Sequence, residues 1–195
     1  SWARDVYKRQ AIDLLCVPAD RFKTNEIAVT LAMPLEADTV SDCALALSLL
    51  SRKSRAYPDL TALNFKKDML YGADLSASVQ KLGEYQVLRL GVTSLDDRFS
   101  LGDESISAAC LELLLSLLFE PLLDADGLFA SADVETEKRV LLEKLAAEEN
   151  EKRIYAVRRL EEIMFADEPY GINRYGTEAS IPVSYTHLRA HETSL

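Results

Sequence analysis

Residues 39–58 read TVSDCALALSLLSRKSRAYP, and the fold class follows from this stretch and the segments on either side of it. Leucines recur in it at helical spacing after Thr39 or Ser41, either of which can cap a helix. The helix is predicted to end in the basic run 52–55, because cations suit the negative end of the helix dipole. Pro58 then restarts the chain, so one helix is expected here between segments of different character.

The segments before this helix are rich in β-forming residues. Residues 12–17 and 27–33 are short apolar runs, and the second alternates at period two. Pro18, Ala19, Asp20 and Arg21 separate them and are typical of a turn, which predicts a hairpin of these two strands.

A second helix and a second pair of strands are predicted after Pro58. Asp59 is placed to cap the helix, and Gly72 stands where a left-handed residue would end it. Residues 75–79 and 87–92 then form two strands joined across a turn at Gly83.

Two further helical regions complete the body. Residues 106–119 are apolar on most sides, which predicts a buried helix. From Asp133 a long helix runs to a break near Asn150, followed by another helix. Four charged residues are assigned to the solvated side of the long helix: Glu137, Lys138, Lys144 and Glu148. The element order predicts an α+β fold, with an antiparallel sheet and helices packed on one face.

Charge and composition exclude several classes of function. The 195 residues carry a formal net charge of -10, which argues against nucleic acid or an anionic membrane as partner. The most apolar run, 106–119, is shorter than the ~20 residues that span a bilayer. Basic or neutral peptides are the favoured ligands on net charge alone. The three cysteines show no metal or redox spacing and are interpreted as buried thiols in a reducing cytoplasm.

The ends of the chain do not follow the pattern of the body. Residues 1–10 are interpreted as a non-native leader and residues 183–195 as a non-native tail, leaving 11–182 as one domain. The two histidines of the chain, His187 and His191, both lie in that tail. The body therefore lacks the commonest general base and zinc ligand.

The order of these elements, followed by Pro169-Tyr170-Gly171 and Gly176-Thr177-Glu178, resembles the N-terminal domain of the insulinase/pitrilysin metallopeptidases, also called inverzincins, over residues 12–182. Local motifs are similar to a non-catalytic bacterial branch associated with 5-aminopentanol modification of elongation factor P. These motifs are Phe22-Lys23-Thr24, Leu70-Tyr71-Gly72-Ala73, Glu137-Lys138 and residues 155–165.

The resemblance implies a zinc site that this chain has lost. Active members carry H-x-x-E-H on the first helix, where two imidazoles hold zinc and the glutamate activates water. Counting back from Pro58, Ala44 and Ser48 take the histidine positions and Leu47 that of the base. None of the three suits the role, so the chain is predicted to be a pseudoenzyme with no metal and no cofactor.

The third ligand of the family is a glutamate seven residues after an outer glutamate on the long helix. Glu137 matches the outer residue, but the seventh position after it is Lys144, whose ammonium group would repel a metal. A slip of one residue would place Glu143 there. Without a metal shell to orient it, Glu137 is interpreted as a solvated carboxylate.

The function implied is that of a non-catalytic subunit. It would pair with an active zinc peptidase homologue as a heterodimer and contribute to a chamber for a peptide or protein substrate, in a process linked to elongation factor P modification. One alternative is an active metallopeptidase with displaced ligands, using Glu143, His187 and His191. Another is a purely structural subunit comparable to the core proteins of respiratory complexes.

Overall fold

A computed structural model of the chain describes residues 5–9, 12–102 and 104–183. The strands are β1 (Asp5–Arg9), β2 (Ile12–Cys16), β3 (Thr24–Pro34), β4 (Asp74–Leu82) and β5 (Tyr85–Leu95). The helices are α1 (Val40–Leu50), α2 (Leu60–Met69), α3 (Ile106–Phe119), α4 (Ser131–Asn150), α5 (Lys152–Met164) and α6 (Ser180–Val183). Within these ranges, no helix combines the length and the apolar composition that spanning a bilayer needs.

The main sheet has three antiparallel strands in the order β3-β5-β4. Leu90 in the central strand pairs with Val29 of β3 and with Ala77 of β4. Alternate side chains of β5 are buried on one face: Gln86, Leu88, Leu90, Val92 and Ser94. Helices α1 and α3 pack on that strand, which confirms the predicted α+β fold with an antiparallel sheet covered on one face.

The core lies between this sheet face and the helices. Leu45 of α1 and Cys110, Leu113 and Leu117 of α3 are fully buried there. The apolar sequence of α3 predicts a buried helix, but its outer side is partly exposed, and Phe119 there is 75% exposed. Only one side of α3 meets the sheet, so an all-round apolar sequence leaves apolar side chains on the other side.

The hairpin predicted between residues 12–17 and 27–33 is wrong. Strand β2 pairs with β1, with Ile12 opposite Arg9, whereas β3 pairs with β5 over its whole length. Pairing with β5 places the apolar face of β3 over the core, and this burial stabilises the fold. Pairing with β2 would bury less apolar surface, since β2 lies in solvent, where its Leu14 is 58% exposed.

The cysteines differ in their environments. Cys110 is buried and Cys43 half-buried, but Cys16 is exposed, so the prediction of buried thiols is wrong for Cys16. Burial raises the pKa of Cys43 to about 11, and the negative charge of Asp42 adds to this shift.

Candidate functional site

The positions that the resemblance aligns with H-x-x-E-H, which are Ala44, Leu47 and Ser48, lie on α1. Ala44 and Leu47 are 2% and 4% exposed and belong to the apolar core, whereas Ser48 is half-buried. Methyl and isobutyl groups have no lone pair for a metal, and a neutral hydroxyl is a weak zinc ligand. These three side chains do not fit a zinc ion.

Glu137 of α4 faces α1 and is buried beside Ser48. Its Oε2 accepts a hydrogen bond of 2.7 Å from Ser48 Oγ, and its Oε1 lies 2.6 Å from Arg52 Nε. Its side chain is 2% exposed, so the interpretation as a solvated carboxylate is wrong. Lys138 is likewise buried, with Nζ donating to the Pro182 carbonyl at 3.2 Å. Polar partners on neighbouring helices allow α4 to bury these groups.

The contact between Ser48, Arg52 and Glu137, called here the Glu137 cluster, is extended by a second ion pair. Lys53 Nζ donates to both oxygens of Asp133, at 2.7 and 2.9 Å. Together the two contacts join the end of α1 to the first half of α4. Both oxygens of Glu137 are engaged, so this carboxylate could bind a metal only by giving up a partner.

The other positions considered for a third ligand face solvent. Lys144 is exposed, with Nζ 5.9 Å from the centre of the Tyr175 ring. Glu143 is 70% exposed and lies 3.9 Å from Arg139 on the same helix. Neither residue has a hydrogen bond or ion pair with α1 in the described ranges.

A metal site assembled from the tail falls outside what the structure describes. His187 and His191 are not among the described residues. In residues 5–9, 12–102 and 104–183, no group of three or more His, Cys, Asp or Glu side chains is arranged to hold a metal ion.

The segment after α5 returns to the start of α1, where it is held by a cluster of hydroxyl groups. Ser41 Oγ donates to the Tyr175 carbonyl at 3.2 Å and lies 2.6 Å from Ser180 Oγ. Gly176 adopts a φ of +84°, and a Cβ there would lie 1.8 Å from Ser41 Oγ. The Tyr-Gly-Thr sequence therefore marks a close contact between this segment and α1.

A cleft of about 220 Å³ lies beside this segment, against α5 and the end of β4. Its lining combines four basic with two acidic side chains and a few apolar and polar ones: Lys81, Glu148, Arg153, Ile154, Val157, Arg158, Glu161, Asn173 and Arg174. Sequence patterns do not indicate this cleft, because its residues come from β4, α4, α5 and the later segment. Only the neighbouring Pro-Tyr-Gly and Tyr-Gly-Thr sequences point to the region.

Internal contacts hold the cleft walls in place. Lys81 Nζ donates to Glu161 Oε2 and to the Tyr170 carbonyl, both at 2.7 Å. Arg174 forms an ion pair with Glu148, whose side chain is 12% exposed, so its assignment to the solvated side of α4 is also wrong.

The apolar side chains of α5 have no cover in the described part of the chain. None of its residues is buried. The large apolar residues are between 41% and 68% exposed: Ile154, Tyr155, Val157, Leu160, Ile163 and Met164. An amphipathic helix with its apolar side in solvent is typical of a surface that another protein segment covers.

Comparison with known proteins adds one sequence relative. The chain is 30% identical over 160 residues to the probable inactive metalloprotease YmfF of Bacillus subtilis, and the match covers 82% of this chain but 37% of that protein. No family model matches the chain.

Several solved structures are similar to this chain in fold. A conserved protein from Enterococcus faecalis V583 matches with a TM-score of 0.78 and 26% identity, over 87% of this chain and 40% of that one. Pitrilysin matches with a TM-score of 0.58 and 16% identity, over 91% of this chain and 18% of its own. The chain thus spans well under half of the length of each of these proteins.

Proposed function

We propose that this chain, an insulinase-like domain related to a probable inactive metalloprotease, is a non-catalytic subunit that pairs with an active zinc peptidase homologue and contributes to its substrate chamber. The Glu137 cluster is the observation that carries this proposal. At the positions where an active member needs zinc ligands and a base, this chain places two core side chains and a serine that binds Glu137.

The donor chemistry supports the loss of catalysis. A zinc peptidase needs three protein ligands and an open position for water. Ala44 and Leu47 have no donor atom, and the Glu137 carboxylate is neutralised by Arg52 at 2.6 Å. Because the Arg52 guanidinium group already pairs with this carboxylate, a metal ion could bind Glu137 only by displacing it.

Two surface features support the role in a complex. The uncovered apolar side of α5 provides a surface for a partner or for a part of the relatives' length that this chain does not span. The neighbouring cleft provides a wall with both charged and apolar groups, which suits contact with a peptide. A location in the cytoplasm and a link to elongation factor P modification remain predictions.

Co-expression with a homologue that keeps H-x-x-E-H tests the proposal. The chain is expected to co-purify with that homologue, and turnover of a quenched fluorescent peptide is expected to require both proteins. Turnover by the homologue that is the same with and without this chain in the complex would instead favour the structural subunit. Hydrolysis by this chain alone, abolished by a chelator, would favour the active peptidase with displaced ligands.

A further inference from the structure

The cleft beside α5 carries one uncompensated positive charge, although the chain as a whole is acidic. The chain has a net charge of -10. Four basic and two acidic side chains line the cleft, and a third carboxylate, Glu149, lies 2.8 Å from the lining Arg158. Charges beyond about 8–10 Å are screened at physiological salt, so a ligand in the cleft responds to the local groups. The net charge of the chain is therefore a poor guide to what this cleft binds.

Three of the four cations already have carboxylate partners. Lys81 pairs with Glu161 at 2.7 Å, Arg158 with Glu149 at 2.8 Å, and Arg174 with Glu148. Their charges are largely compensated, and their side chains shape the walls of the cleft.

Arg153 differs from these three. Its side chain is exposed, and it forms no ion pair or side-chain hydrogen bond with any residue in 5–9, 12–102 or 104–183. It stands in the first turn of α5, which has no acidic residue, and the N-cap Glu151 accepts a hydrogen bond of 3.3 Å from its backbone amide but does not pair with its guanidinium group. A cation at this end of a helix opposes the helix dipole, so helix stability does not account for Arg153.

Apolar groups lie next to this unpaired guanidinium group. Ile154 and Val157 also line the cleft and are 45% and 51% exposed. A guanidinium group binds a carboxylate through two parallel hydrogen bonds, while exposed aliphatic side chains favour an aliphatic neighbour.

We propose that this cleft binds an acidic, leucine-rich peptide segment, with a carboxylate on Arg153 and an aliphatic side chain on Ile154 and Val157. The proposal rests on the proposed function, in which the cleft is part of a peptide chamber, and names the class of peptide. It is the opposite of the basic preference expected from net charge.

Fluorescence anisotropy with two labelled synthetic peptides tests the proposal on the full 195-residue chain. Both peptides have nine residues, and one alternates Leu with Glu while the other alternates Leu with Lys. The acidic peptide is expected to bind at least about 10-fold more tightly than the basic one. Arg153→Glu is expected to weaken its binding by about 10-fold or more, and Arg153→Gln by a smaller factor.

A charge reversal outside the cleft provides the matched control. Arg139 on α4 is 73% exposed and does not line the cleft. Arg139→Glu changes the net charge by the same amount, and binding of the acidic peptide is expected to stay within about 2-fold. Equal loss in Arg139→Glu and Arg153→Glu would overturn the proposal, as would binding of neither peptide or tighter binding of the basic peptide.

The two proposals can fail separately. If neither peptide binds but the chain still raises turnover by an active homologue, the cleft assignment is wrong and the proposed function stands. If the acidic peptide binds through Arg153 but no pairing with a homologue occurs, the cleft assignment stands and the proposed function is wrong.

Discussion

Ser48 Oγ donates a hydrogen bond of 2.7 Å to Glu137 Oε2, across the contact between α1 and α4. Ser48 occupies a position where the resemblance implies a zinc-binding histidine, and Glu137 the position of the outer glutamate. The two residues thus keep α1 and α4 joined through a direct contact that needs no metal. Arg52 supplies the compensating positive charge.

Glu137→Gln is expected to lower the free energy of unfolding by about 1–3 kcal/mol. The amide cannot neutralise Arg52, and its NH₂ group would lie opposite a hydrogen-bond donor, either Ser48 Oγ or Arg52 Nε. Arg52 is 38% exposed and can partly turn to water, so the loss stays below that of a fully buried pair. Urea denaturation measures the change.

Glu143→Gln is the control for this prediction, since Glu143 lies on the same helix but is 70% exposed. Its effect is expected to be below about 0.5 kcal/mol. Similar losses in the two variants would show that the Glu137 cluster does not hold α1 to α4.

Gly176→Ala is expected to destabilise the protein by about 3 kcal/mol. The φ of +84° costs an alanine about 1–2 kcal/mol, and the contact of its Cβ with Ser41 Oγ at 1.8 Å adds an overpacking cost. Gly72→Ala separates the two effects, because Gly72 has a φ of +74° but no atom within 4 Å of an added Cβ. Thermal unfolding should show a clearly larger loss of stability for Gly176→Ala than for Gly72→Ala. Equal losses would contradict the close contact between Gly176 and Ser41.

The stability of the protein is expected to fall between pH 9 and 11 because of Cys43. Burial raises the pKa of this thiol from 9.0 to about 11, so above pH 9 the unfolded state loses its proton while the folded state keeps it. The contribution is fully present below pH 9 and is lost as the pH rises through 11, by about 1–2 kcal/mol after allowing for partial exposure.

Urea denaturation of the wild type and of Cys43→Ala at pH 8 and pH 10.5 isolates this effect. The difference between the two proteins is expected to shift in favour of Cys43→Ala at the higher pH, since tyrosine and lysine titration is common to both. If the difference in stability between the two proteins does not depend on pH, burial does not shield the Cys43 thiol from deprotonation.

Ile163→Glu is expected to reduce self-association of the isolated chain. Ile163 is 68% exposed on the uncovered side of α5, where an added carboxylate would oppose apolar contact. Light scattering over a range of concentrations should show association in the wild type and less in the variant. Leu101→Glu is the control, because Leu101 is 91% exposed outside α5; an equal decrease in this variant would mean that α5 is not the surface involved.

Local patterns in the sequence are sufficient to predict most of the secondary structure. The bounds of α3 follow from its apolar run and from Pro121, and Asp59 caps α2 through a bond of 2.8 Å to the Ala62 amide. The pairing of β2 was not predictable in this way, because it depends on which strand covers the core. That choice involves residues far apart in sequence.

The candidate site shows the same limit. That Ala44 and Leu47 offer no metal donor, and Ser48 only a weak one, can be seen from the sequence alone. The burial of Glu137 cannot, since a carboxylate on a helix is usually solvated and only the opposing Ser48 and Arg52 make burial favourable. The cleft is also invisible to local patterns, because four separate segments form it.

The zinc content of a His187→Ala, His191→Ala double variant shows whether the body of the chain can hold a metal ion. Removing both histidines leaves only the body of the chain, where no imidazole is present. The purified variant is expected to contain less than about 0.1 zinc per chain, because Ala44 and Ser48 cannot replace the histidine ligands of an active member. About one zinc per chain, removable by a chelator, would contradict the account of a subunit that has lost its metal site.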